Sequence, residues 1–155
     1  MAVEYPIIKA ELRDLDELHV LEELAFARES FSKKQLRYLL TKAKGDYQII
    51  RVEGELAASL ILLKKKNSFY LRIYSILVSP KFRGLGLAKQ LLNYAEKQVV
   101  GSKLKGLSLE VSEKNTAAVK LYLSSGFQTV SEKIGYYKDG SKALVMRKEV
   151  QTNND

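Results

Sequence analysis

One strand–helix–strand pattern constrains the fold of this chain more than any other feature. Residues 69–78 (FYLRIYSILV) form a nearly continuous run of aromatic and aliphatic residues, which predicts a strand buried on both faces. Pro80 ends this run, and apolar residues at helical spacing over 87–99 predict an amphipathic helix. Residues 107–112 then alternate between apolar and polar, which predicts a second strand. A helical crossover between two strands makes that pair parallel in one sheet.

Apolar spacing and turn residues predict further elements before and after this unit. They are a strand at 5–8, helices capped by Asp14 or Asp16 and by Ser32, paired strands at 47–52 and 56–63, a helix from Asn115 to Leu123, and strands at 128–134 and 143–148. This order is typical of a mixed α/β sheet with helices on its faces. We find no internal repeat or long linker, so we expect one domain over residues 1–150 and a polar tail over 151–155.

The composition excludes several kinds of site. The 155 residues include no cysteine, which excludes disulfides, thiolate metal sites and cysteine nucleophiles. A single histidine excludes multi-histidine metal sites, so we expect no metal. With 26 Lys and Arg against 18 Asp and Glu, the net charge is +8, which suits anionic partners such as nucleic acid or a phosphate-bearing cofactor. Charge alone does not choose among these partners.

The sequence carries no sign of a membrane or secretory segment. No run approaches the roughly 20 apolar residues that cross a bilayer. The first residues (MAVEYPIIKAELRD) lack the basic start and apolar stretch of a signal peptide. We therefore expect a cytoplasmic protein with no membrane association.

A glycine-containing loop, RGLGLA at residues 83–88, lies between the predicted buried strand and the amphipathic helix. Gly84 and Gly86 allow a tight turn and a close approach of a ligand to the backbone. The free amides at the start of the helix then favour an anion, and Arg83 and Lys89 add positive charge, as does Lys81 just upstream. The spacing fits neither a Walker A loop nor a Rossmann fingerprint. The alternative is a plain turn that needs its glycines for geometry alone.

Two blocks of the chain together resemble the GNAT acetyltransferases. The loop at 83–88 matches the acetyl-CoA signature Q/R-x-x-G-x-G/A, and Val78-Ser79-Pro80 resembles the V-x-P that precedes it. The second block, L-E-V…N…A…L-Y…G-F, is matched by Leu109-Glu110-Val111, Asn115, Ala118, Leu121-Tyr122 and Gly126-Phe127. The resemblance implies a mixed, mostly antiparallel sheet of about seven strands flanked by about four helices, with strands 4 and 5 splayed apart. It also implies acetyl-CoA as cosubstrate.

The pair Tyr136 and Tyr137 resembles the paired tyrosines of the RimI-like branch, which acetylates protein N-termini, including that of a ribosomal protein. Generic family members often carry an acidic base on the fourth strand. Here that strand offers Arg72, Tyr74 and Ser75 and no carboxylate, which fits the branch whose base lies on the next strand. The resemblance therefore implies a protein or peptide N-terminus as the acceptor, with a ribosomal protein among the candidates.

Within this resemblance, Tyr122 is the predicted acid and Glu110 the predicted base. A phenol of ordinary pKa about 10 can protonate a leaving thiolate whose conjugate acid has a pKa near 8.5. Strand alternation places Glu110 on one face with Ser108 and Ser112, where it would act through a water. The alternatives are a core tyrosine and a solvated glutamate.

The remaining predicted site residues would bind acetyl-CoA or line the acceptor groove. Those expected to contact acetyl-CoA are Arg83, Gly84, Leu85, Gly86, Leu87, Ala88 and Lys89, the backbone of Ile76, Leu77 and Val78, and Asn115. Asn115 would cap its helix in either case. Tyr136 and Tyr137 are expected to line the groove, the alternative being a hairpin pair that covers the edge of the core.

Two other functions stay open from the sequence. The same fold could acetylate a small amine, or the chain could be a basic nucleic-acid-binding module. The fourth strand lacks a carboxylate that could act as a strong base, which favours an α-amino group as the acceptor. The pKa of an α-amino group is near 8, so a part of it is already neutral at neutral pH. Nucleic acid is disfavoured because the aromatic residues mostly occupy core positions and no RNA-binding signature is present. Both a monomer and a homodimer are compatible with the sequence.

Overall fold

The strands and helices follow one another in the predicted order. The computed structural model describes residues 3–26 and 30–150. In these ranges the elements are β1 Ile7–Lys9, α1 Leu15–Phe26, α2 Lys33–Thr41, β2 Gly45–Val52, β3 Glu55–Lys64, β4 Tyr70–Val78, α3 Leu87–Val99, β5 Gly106–Ser112, α4 Thr116–Ser124, β6 Gln128–Lys133 and β7 Ala143–Glu149. The tail predicted at 151–155 lies outside the described residues, and the single domain over 1–150 stays a prediction.

The chain divides into two compact units. The first comprises residues up to Leu63 together with Ser75–Tyr94, and the second comprises Lys64–Tyr74 and the chain from Ala95 onward. In the first unit β1 pairs with β2 and β2 with β3, both antiparallel. In the second unit β5 and β6 each pair antiparallel with β7. The glycine loop lies in the first unit, and the predicted acid and base lie in the second.

The strand order β1-β2-β3-β4-β5-β7-β6 confirms the predicted mixed sheet of seven strands. Strands β4 and β5 are parallel, as the helical crossover predicted. Their register runs from Tyr70 opposite Gly106 to Ile73 opposite Leu109. Strand β4 then continues to Val78 and β5 to Ser112. The paired part of β4 thus ends near its middle, as expected for strands that splay apart.

Burial along β4 differs from the prediction of two buried faces. Leu71, Ile73, Ser75 and Leu77 on one face are buried, but the residues of the other face, Tyr70, Arg72, Tyr74, Ile76 and Val78, are only half-buried. The second face carries Arg72, whose guanidinium pairs with Glu110 and whose side chain is 31% exposed. The strand therefore places one face in the core and leaves the other face partly exposed.

Local signals for α2 and α3 are confirmed, whereas Asp14, one of the two residues predicted to cap the first helix, ends a short 3-10 helix over Leu12–Asp14 and accepts from the Glu11 amide at 2.8 Å. Leu87, Leu91, Leu92, Ala95 and Val99 are all buried, so one face of α3 lies in the core. The predicted cap Ser32 accepts a hydrogen bond from the Gln35 amide at 3.1 Å, and its own amide donates to the Gln35 side chain at 2.8 Å.

Across residues 3–26 and 30–150, none of the helices combines the length and the apolar character needed to cross a bilayer.

We expect Gly106→Ala to destabilise the fold by about 1–3 kcal/mol, because added bulk in a packed site forces a backbone shift. A Cβ at Gly106 would lie 2.0 Å from the backbone oxygen of Lys148 on β7. Urea denaturation measures the loss, with Ser108→Ala on the same strand as the control. Equal and small losses in the two variants would contradict the close approach of β5 and β7.

Candidate active site

The glycine loop takes a backbone conformation that side-chain-bearing residues rarely adopt. Gly84 and Gly86 have φ of +85° and +76°. A Cβ built on either residue would meet no atom within 4 Å, and both residues are exposed. The glycines are therefore needed for the turn, and the space above the loop is open to a ligand.

Helix α3 begins directly after this loop with unpaired amides. Its first helical hydrogen bond runs from the Gln90 amide to the Gly86 carbonyl at 3.0 Å. The N–H groups of Leu87, Ala88 and Lys89 precede that bond, and the first turn holds no acidic residue. Arg83 and Lys89 are exposed beside the positive end of the helix dipole. Amides, dipole and cations together fit an anionic group such as the diphosphate of coenzyme A.

The end of β4 leads into this loop. Leu77 is buried, and Ile76 and Val78 are half-buried. The Ser79 amide donates to the Ala57 carbonyl at 2.8 Å, which holds the end of β4 in place before a short 3-10 helix over Pro80–Phe82.

Lys81 contributes less to the anion site than the sequence suggested. Its ammonium forms an ion pair with Glu55 at 2.7 Å. Part of its positive charge is therefore neutralised within the protein, and Arg83 and Lys89 remain as the exposed cations of the loop.

In the second unit, Glu110 lies at the centre of a polar cluster. Alternation along β5 buries Leu109 and Val111 and turns Glu110 to the other face, as predicted. Arg72 Nη2 lies 2.5 Å from Glu110 Oε1, and the Tyr136 hydroxyl donates to the same oxygen at 3.2 Å. The Lys133 ammonium forms an ion pair with Oε2. We call these four residues the Glu110 cluster.

The surroundings keep Glu110 ionised. Burial by itself would raise the pKa of this carboxyl group, whose side chain is 10% exposed. The hydrogen bond from Lys133 and the charges of Arg72 and Lys133 outweigh burial, and with the Tyr136 hydroxyl they lower the pKa below its usual value. A lowered pKa in the folded state stabilises the fold above the unfolded-state pKa, and this stabilisation is lost as the pH falls through the folded-state pKa.

Tyr122 on α4 is 6% exposed and packs edge-to-face on Phe127, with ring centroids 5.7 Å apart. Burial, and to a smaller extent the nearby Tyr137, raises the pKa of Tyr122 above its ordinary value. The phenol therefore holds its proton at neutral pH. The packing agrees with a core tyrosine, the alternative for this residue, and does not conflict with a role as acid.

The two adjacent tyrosines lie in the connection between β6 and β7. Their rings meet edge-to-face with centroids 5.0 Å apart. Tyr136 is 47% exposed and contacts Glu110, whereas Tyr137 is half-buried, and its amide donates to the Ser141 carbonyl at 3.2 Å. The structure thus brings a predicted groove residue together with the predicted base.

Asn115 caps α4 as predicted. Its side-chain oxygen accepts a hydrogen bond from the Ala118 amide at 3.2 Å, and the residue is exposed. Its contact with acetyl-CoA stays a prediction.

Two members of the Glu110 cluster were missed from the sequence. The sequence indicates only that Arg72 stands on the fourth strand, where GNAT acetyltransferases often carry an acidic base. The parallel register places Arg72 opposite Ser108 and hence on the face of Glu110. Lys133 ends β6, which pairs with β7 rather than with β5, so no local pattern brings it to Glu110. In the part of the chain that the structure describes, no group of three or more His, Asp or Glu side chains could hold a metal ion.

Comparison with known proteins assigns the family. The family model for the acetyltransferase (GNAT) family matches residues 12–127, and the chain therefore belongs to this family. Members of the family use acetyl-CoA as the acetyl donor, which favours an enzyme over a nucleic-acid-binding module.

Particular relatives are N-terminal acetyltransferases. The chain is 33% identical over 129 residues to the N-terminal acetyltransferase A complex catalytic subunit ard1 of Schizosaccharomyces pombe, covering 79% of this chain and 68% of that protein. It is 38% identical over 78 residues to the [ribosomal protein bS18]-alanine N-acetyltransferase of Haemophilus ducreyi, covering 48% of this chain and 54% of that protein. The second alignment thus spans about half of the relative.

A solved structure shows the same fold. The crystal structure of Ard1 from Thermoplasma volcanium matches with a TM-score of 0.87 at 20% identity, covering 96% of this chain and 99% of that one. At this identity the likeness confirms the GNAT fold alone.

Proposed function

We propose that this protein is an N-acetyltransferase that transfers an acetyl group from acetyl-CoA to the α-amino group of a protein or peptide. The observation that carries the proposal is the open glycine loop at the amide-bearing start of α3, in a chain of the acetyltransferase family. The names of two relatives, one a catalytic subunit of an N-terminal acetyltransferase and one an alanine N-acetyltransferase, support the α-amino acceptor.

In this proposal the residues that bind the cosubstrate belong to the first unit, with the exception of Asn115. The amides and cations from Arg83 to Lys89, including Leu85, bind the diphosphate, and the backbone over 76–78 runs along the pantetheine arm. Asn115 on the second unit adds a further contact. Acetyl-CoA supplies the acetyl group as a thioester, whose C–S bond breaks as the N–C bond to the acceptor forms.

Proton transfer falls to the second unit. Glu110 takes the proton that the acceptor nitrogen loses, through a water, and Tyr122 gives its proton to the leaving sulfur, so that one proton is accepted and one is donated. The cations around Glu110 make it a weak base. A weak base is sufficient only for an amine of which an appreciable fraction is already neutral. At pH 7 about one α-amino group in ten is neutral, against about one lysine side chain in 2,500.

Tyr136 and Tyr137 are proposed to line the acceptor groove, and a ribosomal protein is one candidate partner because of the bS18-alanine relative. The cytoplasmic location, the absence of a metal and the choice between monomer and homodimer stay predictions from the sequence.

An acceptor panel tests the proposed substrate class. We expect acetyl-CoA turnover with peptides that carry a free N-terminus, and at least tenfold lower kcat/KM with the same peptides blocked at the N-terminus and offering one lysine. Thiol release measures the rate. Turnover confined to small amines, such as polyamines or aminoglycosides, would contradict the protein acceptor while leaving the cosubstrate in place.

We expect Gly86→Ala to weaken coenzyme A binding by about tenfold, because a residue with a Cβ loses about 1–2 kcal/mol at positive φ and the loop relaxes away from its ligand. Calorimetry with coenzyme A measures the affinity. Gly54→Ala is the matched control, since Gly54 has φ of +81° and equally open space in the β2–β3 turn. Equal affinity in the two variants would remove the loop from the binding site.

We expect Tyr122→Phe to lower kcat by about 100- to 10,000-fold, the usual contribution of a general acid. Coenzyme A affinity should stay close to that of the wild type, because the phenyl ring keeps its packing on Phe127. Steady-state kinetics and calorimetry on the same preparation separate the two effects. A wild-type kcat in this variant would show that another group protonates the sulfur.

A further inference from the structure

Lys133 holds the position on Glu110 that a charged acceptor would need. Its ammonium is a primary amine cation, the same chemical group as a protonated N-terminus. It forms an ion pair with Glu110 Oε2, and its nitrogen lies 5.2 Å from the centroid of the Tyr136 ring. A carboxylate together with an aromatic face is a common way to bind an amine cation. The side chain of Lys133 is 51% exposed, so an incoming ligand can reach it from solvent.

The charges around Glu110 sum to a positive site. Strand β4 contributes Arg72 and the end of β6 contributes Lys133, whereas β7 places the apolar Val145 opposite Glu110. Tyr136 adds a neutral hydroxyl. One carboxylate therefore faces two cations, both within ion-pair distance. A third cation brought to this cluster would meet net repulsion in a partly desolvated site, whereas a neutral amine would not.

We propose that Lys133 is a specificity-determining residue that occupies the acceptor's cation position on Glu110, so that the site takes its acceptor as the neutral amine and selects N-termini over lysine side chains. This inference rests on the proposed function, because it concerns the amine that Glu110 serves. It adds a residue and a physical basis for acceptor choice. The selectivity follows from the protonation of the two amines in water: a site closed to cations receives a neutral α-amine far more often than a neutral lysine.

Removing the charge of Lys133 should open the site to cations. In Lys133→Gln the freed carboxylate would bind the acceptor as its ammonium form, so KM should fall below pH 7. The bound ammonium would also be harder to deprotonate. The acidic limb of the kcat–pH profile should therefore move to higher pH, which lowers kcat at pH 6.5 by about three- to tenfold. The preference for a peptide N-terminus over a peptide lysine should decrease by a similar factor.

Three variants and two peptides make the test specific. Lys133→Gln is compared with Lys133→Arg, which keeps the charge, and with Lys97→Gln, which removes one charge from an exposed position in the last turn of α3. One peptide has a free N-terminal alanine and no lysine, and the other is blocked at the N-terminus and carries one lysine. Lys133→Arg and Lys97→Gln should match the wild type in the pH profile and in the ratio of kcat/KM values.

A second measurement does not depend on turnover. The carboxyl carbon of Glu110, followed by NMR during a pH titration, should show a higher pKa in Lys133→Gln than in the wild type, because the ion pair is lost. An unchanged titration, or an unchanged kcat–pH profile and acceptor ratio in an active Lys133→Gln enzyme, would overturn this inference alone. Absence of turnover by the wild type with every amine tested would overturn the proposed function, and this inference with it.

Discussion

The parallel pairing of β4 with β5 is the constraint on which the surroundings of Glu110 depend. It sets Arg72 opposite Ser108 and so brings a guanidinium to the face that carries Glu110. The same strand ends at Val78, shortly before the glycine loop and the start of α3. A single strand thus leads to the amides that suit an anion and supplies a cation to the predicted base. A shift of one residue in this register would turn every side chain of β5 to the opposite face.

The surroundings of the two predicted proton-transfer groups shift their pKa values in opposite directions. Cations lower the pKa of Glu110, and burial raises the pKa of Tyr122, so one group is ionised and the other protonated over a wide pH range. The separation leaves Glu110 a weak base, which is why the protonation state of the acceptor itself becomes decisive in the proposed mechanism.

Local patterns predicted local structure well. The apolar spacing of α3, the cap at Asn115 and the positive-φ glycines all depend on neighbours within a few residues, and each is confirmed. Composition described β4 less accurately, because aromatic and arginine side chains can cover a sheet and still reach solvent. The charge of Lys81 was also misjudged from the sequence. Its ion-pair partner Glu55 lies on another strand, so the pairing is evident only in the structure.

The sequence by itself determined the crossover of β4, α3 and β5, the glycine loop before α3 and the family to which its motifs belong, since each is encoded by residues close together in the chain. Only the tertiary structure decided what surrounds Glu110. Lys133 reaches it across β7, because Lys133 lies opposite Ala143, which in turn lies opposite Ser112 on the face of Glu110. Tyr136 reaches it from the connection between β6 and β7. Strand order is set by the packing of whole elements. The sequence alone therefore does not show which lysine or arginine will lie beside a given glutamate.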